Sequence, residues 1–357
     1  MFQTILVQFF HILRIIESYH LNLKHNCMNK NLNKTLKTNH FIVCLFLMMM
    51  NLSCNGTTKL ANHQFAYITN QGNNTVSVID TAKNKVIKSI AVGKAPVGVA
   101  VSAKLQRVYI TNVDSQDISI INTQNNKVIE TLKIKGSPVG VTLSADNKVL
   151  YVADWFDNQV LAISTQAHHN TRIVKIGEAP AGLAVSPDNQ WLYVANRDSN
   201  DIAIINTTTL AIQKRIAVGK HPYGIALSKS GLWLVSVNVQ NDSISLINTK
   251  TEAQQRIKVG FHPYCAAISN DEKTLYVSNN QDDSMTVIDI STQKIITTIE
   301  VGSTPEGITI DSSNQRAYIA NWGSNNVSVV DTNTNKLITT IRTGDKSRAF
   351  GQFILSH

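Results

Sequence analysis

The amino-acid sequence predicts an all-β, seven-bladed β-propeller with four-stranded blades, its ring closed by the C-terminal strand joining blade one. Three observations predict it. A Tyr-aliphatic-x-Asn motif recurs at near-constant spacing, each repeat holds four short stretches of period two, and the last strand has no partner in its own repeat.

The motif appears as AYITN, VYITN, LYVAD, LYVAN, LVSVN, LYVSN and AYIAN. Its second positions are Tyr67, Tyr109, Tyr151, Tyr193, Val235, Tyr276 and Tyr318, so successive units are 42 residues apart except for one step of 41. Each unit continues with a polar loop, an alternating strand such as VSVID or ISIIN, a Thr/Asn/Lys turn, and a strand ending at a glycine: Gly93, Gly136, Gly177, Gly219, Gly260, Gly302 or Gly344. A proline-led strand follows: PVGVAVS, PVGVTLS, PAGLAVS, PYGIALS, PYCAAIS or PEGITID. This last strand is rich in Gly and Ala, which predicts that it is the innermost strand, where backbones crowd at the axis.

The body opens on a Tyr strand and ends on RAFGQFILS. Reading Ala349 as the missing proline and Gly351 as the repeat glycine, residues 350–355 are expected beside residues 66–69, completing blade one and removing an open edge.

The predicted propeller spans residues 63–357, after a linker at 55–62 and a targeting segment at 1–54. In the segment MNKNLNKTLKTNHFIVCLFLMMMNLSC, three lysines precede an apolar run of ten residues at 41–50. That run is short for a bilayer span and suits a signal peptide, with Met28 as the expected true start. The ending Ser53-Cys54 resembles a bacterial lipoprotein signal, which implies lipidation at Cys54, although Asn51 stands where that pattern carries an aliphatic residue. The alternatives are cleaved secretion to the periplasm and an uncleaved anchor. The expected location is the cell envelope.

The formal charge is +9, of which residues 1–58 carry +4 from five bases against Glu17. The balance of +5 over the body is no nucleic-acid footprint. Of four cysteines only Cys265 lies in the body, which excludes a disulfide framework there. No GxSxG, HExxH or CxxCH motif is present, so no catalytic residue and no cofactor is predicted.

YITN, YVAN, SVIDT, VGxxPxGVAVS and the terminal RAFGQFI resemble the YVTN-type β-propeller repeat proteins of bacterial and archaeal envelopes, over residues 65–355. The resemblance implies fold, not activity.

In this strand order the loop after the Tyr strand and the loop entering the proline-led strand share one face, at the mouth of the axial channel. The residue before each proline position is expected to point there: Ala95, Ser137, Ala179, His221, His262, Thr304 and Arg348. His221 and His262 sit in KHPYG and FHPYC, so Tyr223 and Tyr264 share their sector, and Cys265 replaces a repeat glycine. Trp155, Arg197 and Trp322 come from the varying rim loops. The candidate ligand site is therefore His221, Tyr223, His262, Tyr264, Arg348, Trp155, Arg197 and Trp322, an aromatic and basic sector suited to an anionic or π-faced ligand. His221, His262 and Cys265 form a weaker candidate set for a metal or a haem iron. The plainer alternative makes the histidines tolerated polar residues and Cys265 a small buried filler. The Asn ending each Tyr strand repeats so regularly that a turn-bonding role is expected for it.

These residues point to a secreted or lipid-anchored, monomeric binding or scaffold module for an envelope protein, peptide or glycan. The alternatives are a metal- or cofactor-dependent enzyme, redox or lactonase-like, using the His221/His262 mouth, and a single-stranded nucleic-acid binder.

Overall fold

A computed structural model describes residues 64–355 apart from 312 and 314. The predicted signal segment, the linker and Cys54 lie outside the described residues. The described residues form seven antiparallel blades in a ring, each with a proline-led or equivalent strand innermost. Blade four shows the order: Pro180–Val185, Trp191–Asn196, Asp201–Asn206 and Ile212–Ala217.

Side chains of the middle strands are buried on both faces, because each blade packs against a neighbour on either side. Tyr67, Tyr109, Tyr151, Tyr276 and Tyr318 are fully buried in these inter-blade layers. Two of the hydroxyls reach the next turn: Tyr67 donates to Asn126 Oδ1 at 2.8 Å, and Tyr318 to the Thr81 carbonyl at 3.2 Å. The outer strands instead expose Ile87, Ile129 and Ile173.

The innermost strands do crowd at the axis. A Cβ added to Gly140 would collide with the carbonyl oxygen of Ala181 in the next blade, so only glycine fits there. The repeat asparagines act across strands. Asn112 Nδ2 donates to Asp117 Oδ1 at 2.8 Å and Ser119 Oγ at 2.9 Å, and Asn279 bonds Ser284 and Thr286 in the same way. Each of these two pins a Tyr strand to its neighbour, a longer reach than the expected turn role.

The ring closes through the C-terminal segment, with two corrections. The segment is not one strand: Ile354–Leu355 pairs antiparallel with Phe65–Asn70 of blade one, whereas Phe350–Gln352 pairs in parallel with Pro96–Ser102 of blade two. Its register also differs from the expectation. Ser347, not Ala349, takes the proline position, bridging Asn70 as Pro96 pairs with Asn112. Ala349 N donates to Thr69 Oγ1 at 2.8 Å just as Gly98 N donates to Thr111 Oγ1 at 2.8 Å, so Ala349 stands at the repeat-glycine position. Arg348 is then the residue after the proline position, equivalent to Tyr223 and Tyr264. The reason is local: with no proline as a marker, Gly351 is a false anchor, its φ of 121° lying within the short strand Phe350–Gln352 beside blade two.

Candidate functional site

The two loop sets meet on one face, as their order predicts. Arg197 N donates to the Ala179 carbonyl at 3.1 Å, Val239 N to that of His221 at 3.1 Å, and Asn280 N to that of His262 at 3.0 Å. The residue before proline is held in left-handed backbone, with φ of 53° at His221 and 52° at His262. This conformation is uncommon for a non-glycine residue. Neighbouring loops pin it: His221 N donates to Asn200 Oδ1 at 2.9 Å and His262 N to Asp242 Oδ1 at 3.0 Å.

Below the histidines lies an aromatic floor. The rings of Tyr223 and Tyr264 are 4.5 Å apart, that of Phe350 is 4.9 Å from Tyr223, and that of Trp155 is 5.8 Å from Tyr223. Burial raises both phenol pKa values, with Arg348 opposing it.

Arg348 crosses this floor. Its Nη2 donates to the hydroxyls of Tyr223, at 3.4 Å, and Tyr264, and Nη1 donates to Gln71 Oε1 at 3.3 Å. Its Nε faces Glu306 Oε2 at 2.8 Å as an ion pair, yet neither atom has a well-aligned hydrogen bond within the protein. Burial pushes the Glu306 carboxyl above its usual range, and the Arg348 charge pulls against it. Arg348 stays cationic throughout.

The rim continues outward. Arg197 stacks over Trp155 at 5.6 Å and pairs with Asp198 at 2.7 Å, and His221 Nε2 lies 3.9 Å from Asp198 Oδ1. Burial holds the His262 pKa below its ordinary value, and Nδ1 of that ring is buried without a partner.

These groups enclose a cavity of about 610 Å³ at the channel mouth. Of the sequence-predicted ligand residues, His221, Tyr223, His262, Tyr264, Arg348, Trp155 and Arg197 line it. Trp322 stands back, its indole N–H donating to Gln71 Oε1 at 3.1 Å with Lys346 over its ring. The set His221, His262 and Cys265 is not brought together. Cys265 lines a second cavity, of about 270 Å³, bounded by the inner strands and Phe350. Its thiol pKa is pushed up by burial. Among the described residues no group of three or more His, Cys, Asp or Glu is placed to hold a metal ion.

Sequence reasoning missed Glu306, Gln71 and Phe350. The spacing from Gly344 to Ser347 equals that from Gly93 to Pro96, and counting from it places Arg348 beside Glu306 in the inner collar.

A larger cleft of about 830 Å³ lies between the outer strands of blades two and three, where His168 meets Glu130 at 2.9 Å. It has no counterpart of the buried ion pair and the aromatic floor, so the mouth is the stronger site.

Residues 181–351 match the YNCE-like beta-propeller family. No curated protein sequence matches the chain. Among solved structures, Kuenenia stuttgartiensis hydrazine synthase is similar at 20% identity and a TM-score of 0.68, over 74% of this chain and 92% of that one. A functionally unknown protein from Desulfotomaculum acetoxidans is similar at 15% identity and 0.69, over 80% and 99%. A virginiamycin B lyase from Staphylococcus aureus is similar at 20% identity and 0.61, over 69% and 84%. At such identities the likeness extends to the fold alone.

Proposed function

As a YNCE-like beta-propeller over residues 181–351, the protein is, we propose, a non-enzymatic binding module that holds a small, flat molecule with a polar edge at the mouth of its axial channel. One observation carries this reading. The cavity combines aromatic faces at Trp155 and Tyr223 with the Arg348 guanidinium and a buried polar atom that lacks a hydrogen-bond partner, Nδ1 of His262. Buried polar groups left unpaired cost free energy in the empty protein, and a ligand that satisfies them recovers it. Its volume of about 610 Å³ falls in the range of small-molecule sites.

Enzymatic use of the mouth has less support. Cys265 opens on the other cavity, so His221 and His262 gain no third ligand from it. Single-stranded nucleic-acid binding rests on aromatics and mild charge alone. The sequence at 28–54 supports an envelope location with membrane attachment through Cys54.

The test is a screen of small metabolites for thermal stabilisation of the purified protein. Hits should lose affinity for the His221→Ala/His262→Ala double variant and keep it for Asn189→Ala, on the opposite face. Hits that survive the first variant and fail on the second contradict the reading.

A further inference from the structure

Resting on the mouth as the ligand site, we propose that the ligand is an aromatic monocarboxylate, and that Arg348 receives its carboxylate with uptake of one proton at Glu306.

The inner collar has one residue per blade at the place after the proline position. Val97, Val139 and Ala181 make one half, and Tyr223, Tyr264, Glu306 and Arg348 the other. The cavity is correspondingly two-sided. Val97, Val139 and Val113 with Trp155 and the largely exposed Phe156 offer a place for an apolar ring on the side of blades two and three. A ligand filling both sides is amphipathic, flat and polar at one end.

The polar end is set by Arg348. A guanidinium has five N–H donors. Gln71 and the two tyrosine hydroxyls take three of them, and the Nε–H facing Glu306 is not aligned for a hydrogen bond. One Nη1–H of this largely buried guanidinium remains, a charge-assisted donor for one oxygen of a carboxylate. Arg348 lines the cavity and Glu306 does not, so an incoming anion meets the guanidinium on the face away from its present partner.

Charge balance supplies the proton. One guanidinium offsets one carboxylate. Glu306 is 6% exposed, and burial already favours its neutral form. A second carboxylate beside the same cation leaves an uncompensated buried anion, and protonation of Glu306 removes it. Tyr223, Tyr264 and Cys265 face Glu306 as neutral groups, their pKa values all pushed up by burial. Arg197 with Asp198, His221, and His262 with Asp242 face the cavity from the rim; the His262 imidazole is the competing proton acceptor. No bond other than the O–H at Glu306 forms or breaks, and the proton comes from solvent.

The experiment is calorimetric titration of the purified protein with benzoate and with its neutral counterpart benzamide, from about pH 5 to about pH 8, in two buffers of different ionisation enthalpy. Benzoate affinity should fall by up to about tenfold per pH unit as pH rises, with uptake of about one proton, while benzamide shows neither effect. Glu306→Gln should bind benzoate at least as tightly and with a flat profile. Arg348→Met should weaken benzoate by about tenfold or more. A flat wild-type profile without proton uptake overturns the proposal, and so does an unchanged slope in Glu306→Gln. If that variant fails to fold, His262→Gln decides: an unchanged proton uptake keeps the assignment to Glu306, and a lost one overturns it. Binding of benzamide without benzoate overturns the ligand class and leaves the mouth as a site. If neither probe binds, this proposal falls, and the metabolite screen decides separately whether the mouth is a site.

Discussion

Nε of Arg348 lies 2.8 Å from Oε2 of Glu306, across the seam where the last blade meets the first. The pair therefore joins the ends of the ring, with Arg348 alone reaching the cavity. Breaking a buried pair leaves one charge uncompensated, which costs more than replacing both partners by apolar groups. Glu306→Ala should lower stability by about 3–5 kcal/mol, and Glu306→Leu combined with Arg348→Met should recover most of it. Urea unfolding of the two variants checks this, and equal losses in both would remove the pair from the seam's energetics.

His262 should make the protein acid-sensitive. Burial first, then Arg197 and His221, disfavour its charged form, with Asp242 opposing them. Its folded pKa lies below the unfolded 6.5, so its contribution to stability is present above pH 6.5 and is lost as pH falls through the depressed value. His262→Gln should lack that part of the acid loss. Melting curves from about pH 7 to about pH 5 should converge toward the acid end, and parallel curves would contradict the assignment.

Closure depends on the last residues. Phe353 is fully buried, and its carbonyl accepts from Tyr67 N at 2.8 Å. Truncation after Arg348 removes this residue and both short closing strands, exposing edges on blades one and two. The truncated protein should melt lower and aggregate. Size-exclusion chromatography showing a monomer with the parent's melting temperature would refute the closure.

The envelope proposal is tested at Cys54. Cys54→Ala should move the protein from the membrane fraction to the soluble one. Mass spectrometry finding an unlipidated mature N-terminus elsewhere would end that proposal.

The fold is legible because its physics repeats. Alternating strands, turn residues and a glycine at the axis recur in unit after unit, so each copy corrects errors in reading the others. The mouth histidines are legible for the same reason, since KHPYG and FHPYC keep the proline that marks their place. Arg348 and Glu306 belong to the parts that do not repeat. Without a proline in the last repeat the register is anchored wrongly at Gly351, and Arg348 is placed two residues early in its blade. Glu306 in PEGITID looks like a solvated acid until the register of Arg348 is known. The split of the final strand between two blades has no precedent in the other six units, so no pattern announces it.

The most direct test of the account is amide hydrogen exchange of the protein with and without the best-stabilising compound from the metabolite screen. Protection should concentrate at 155–158, 197–200, 221–223 and 262–264, around the channel mouth. Protection confined to the opposite face, around Asn189, would contradict a ligand site at the mouth.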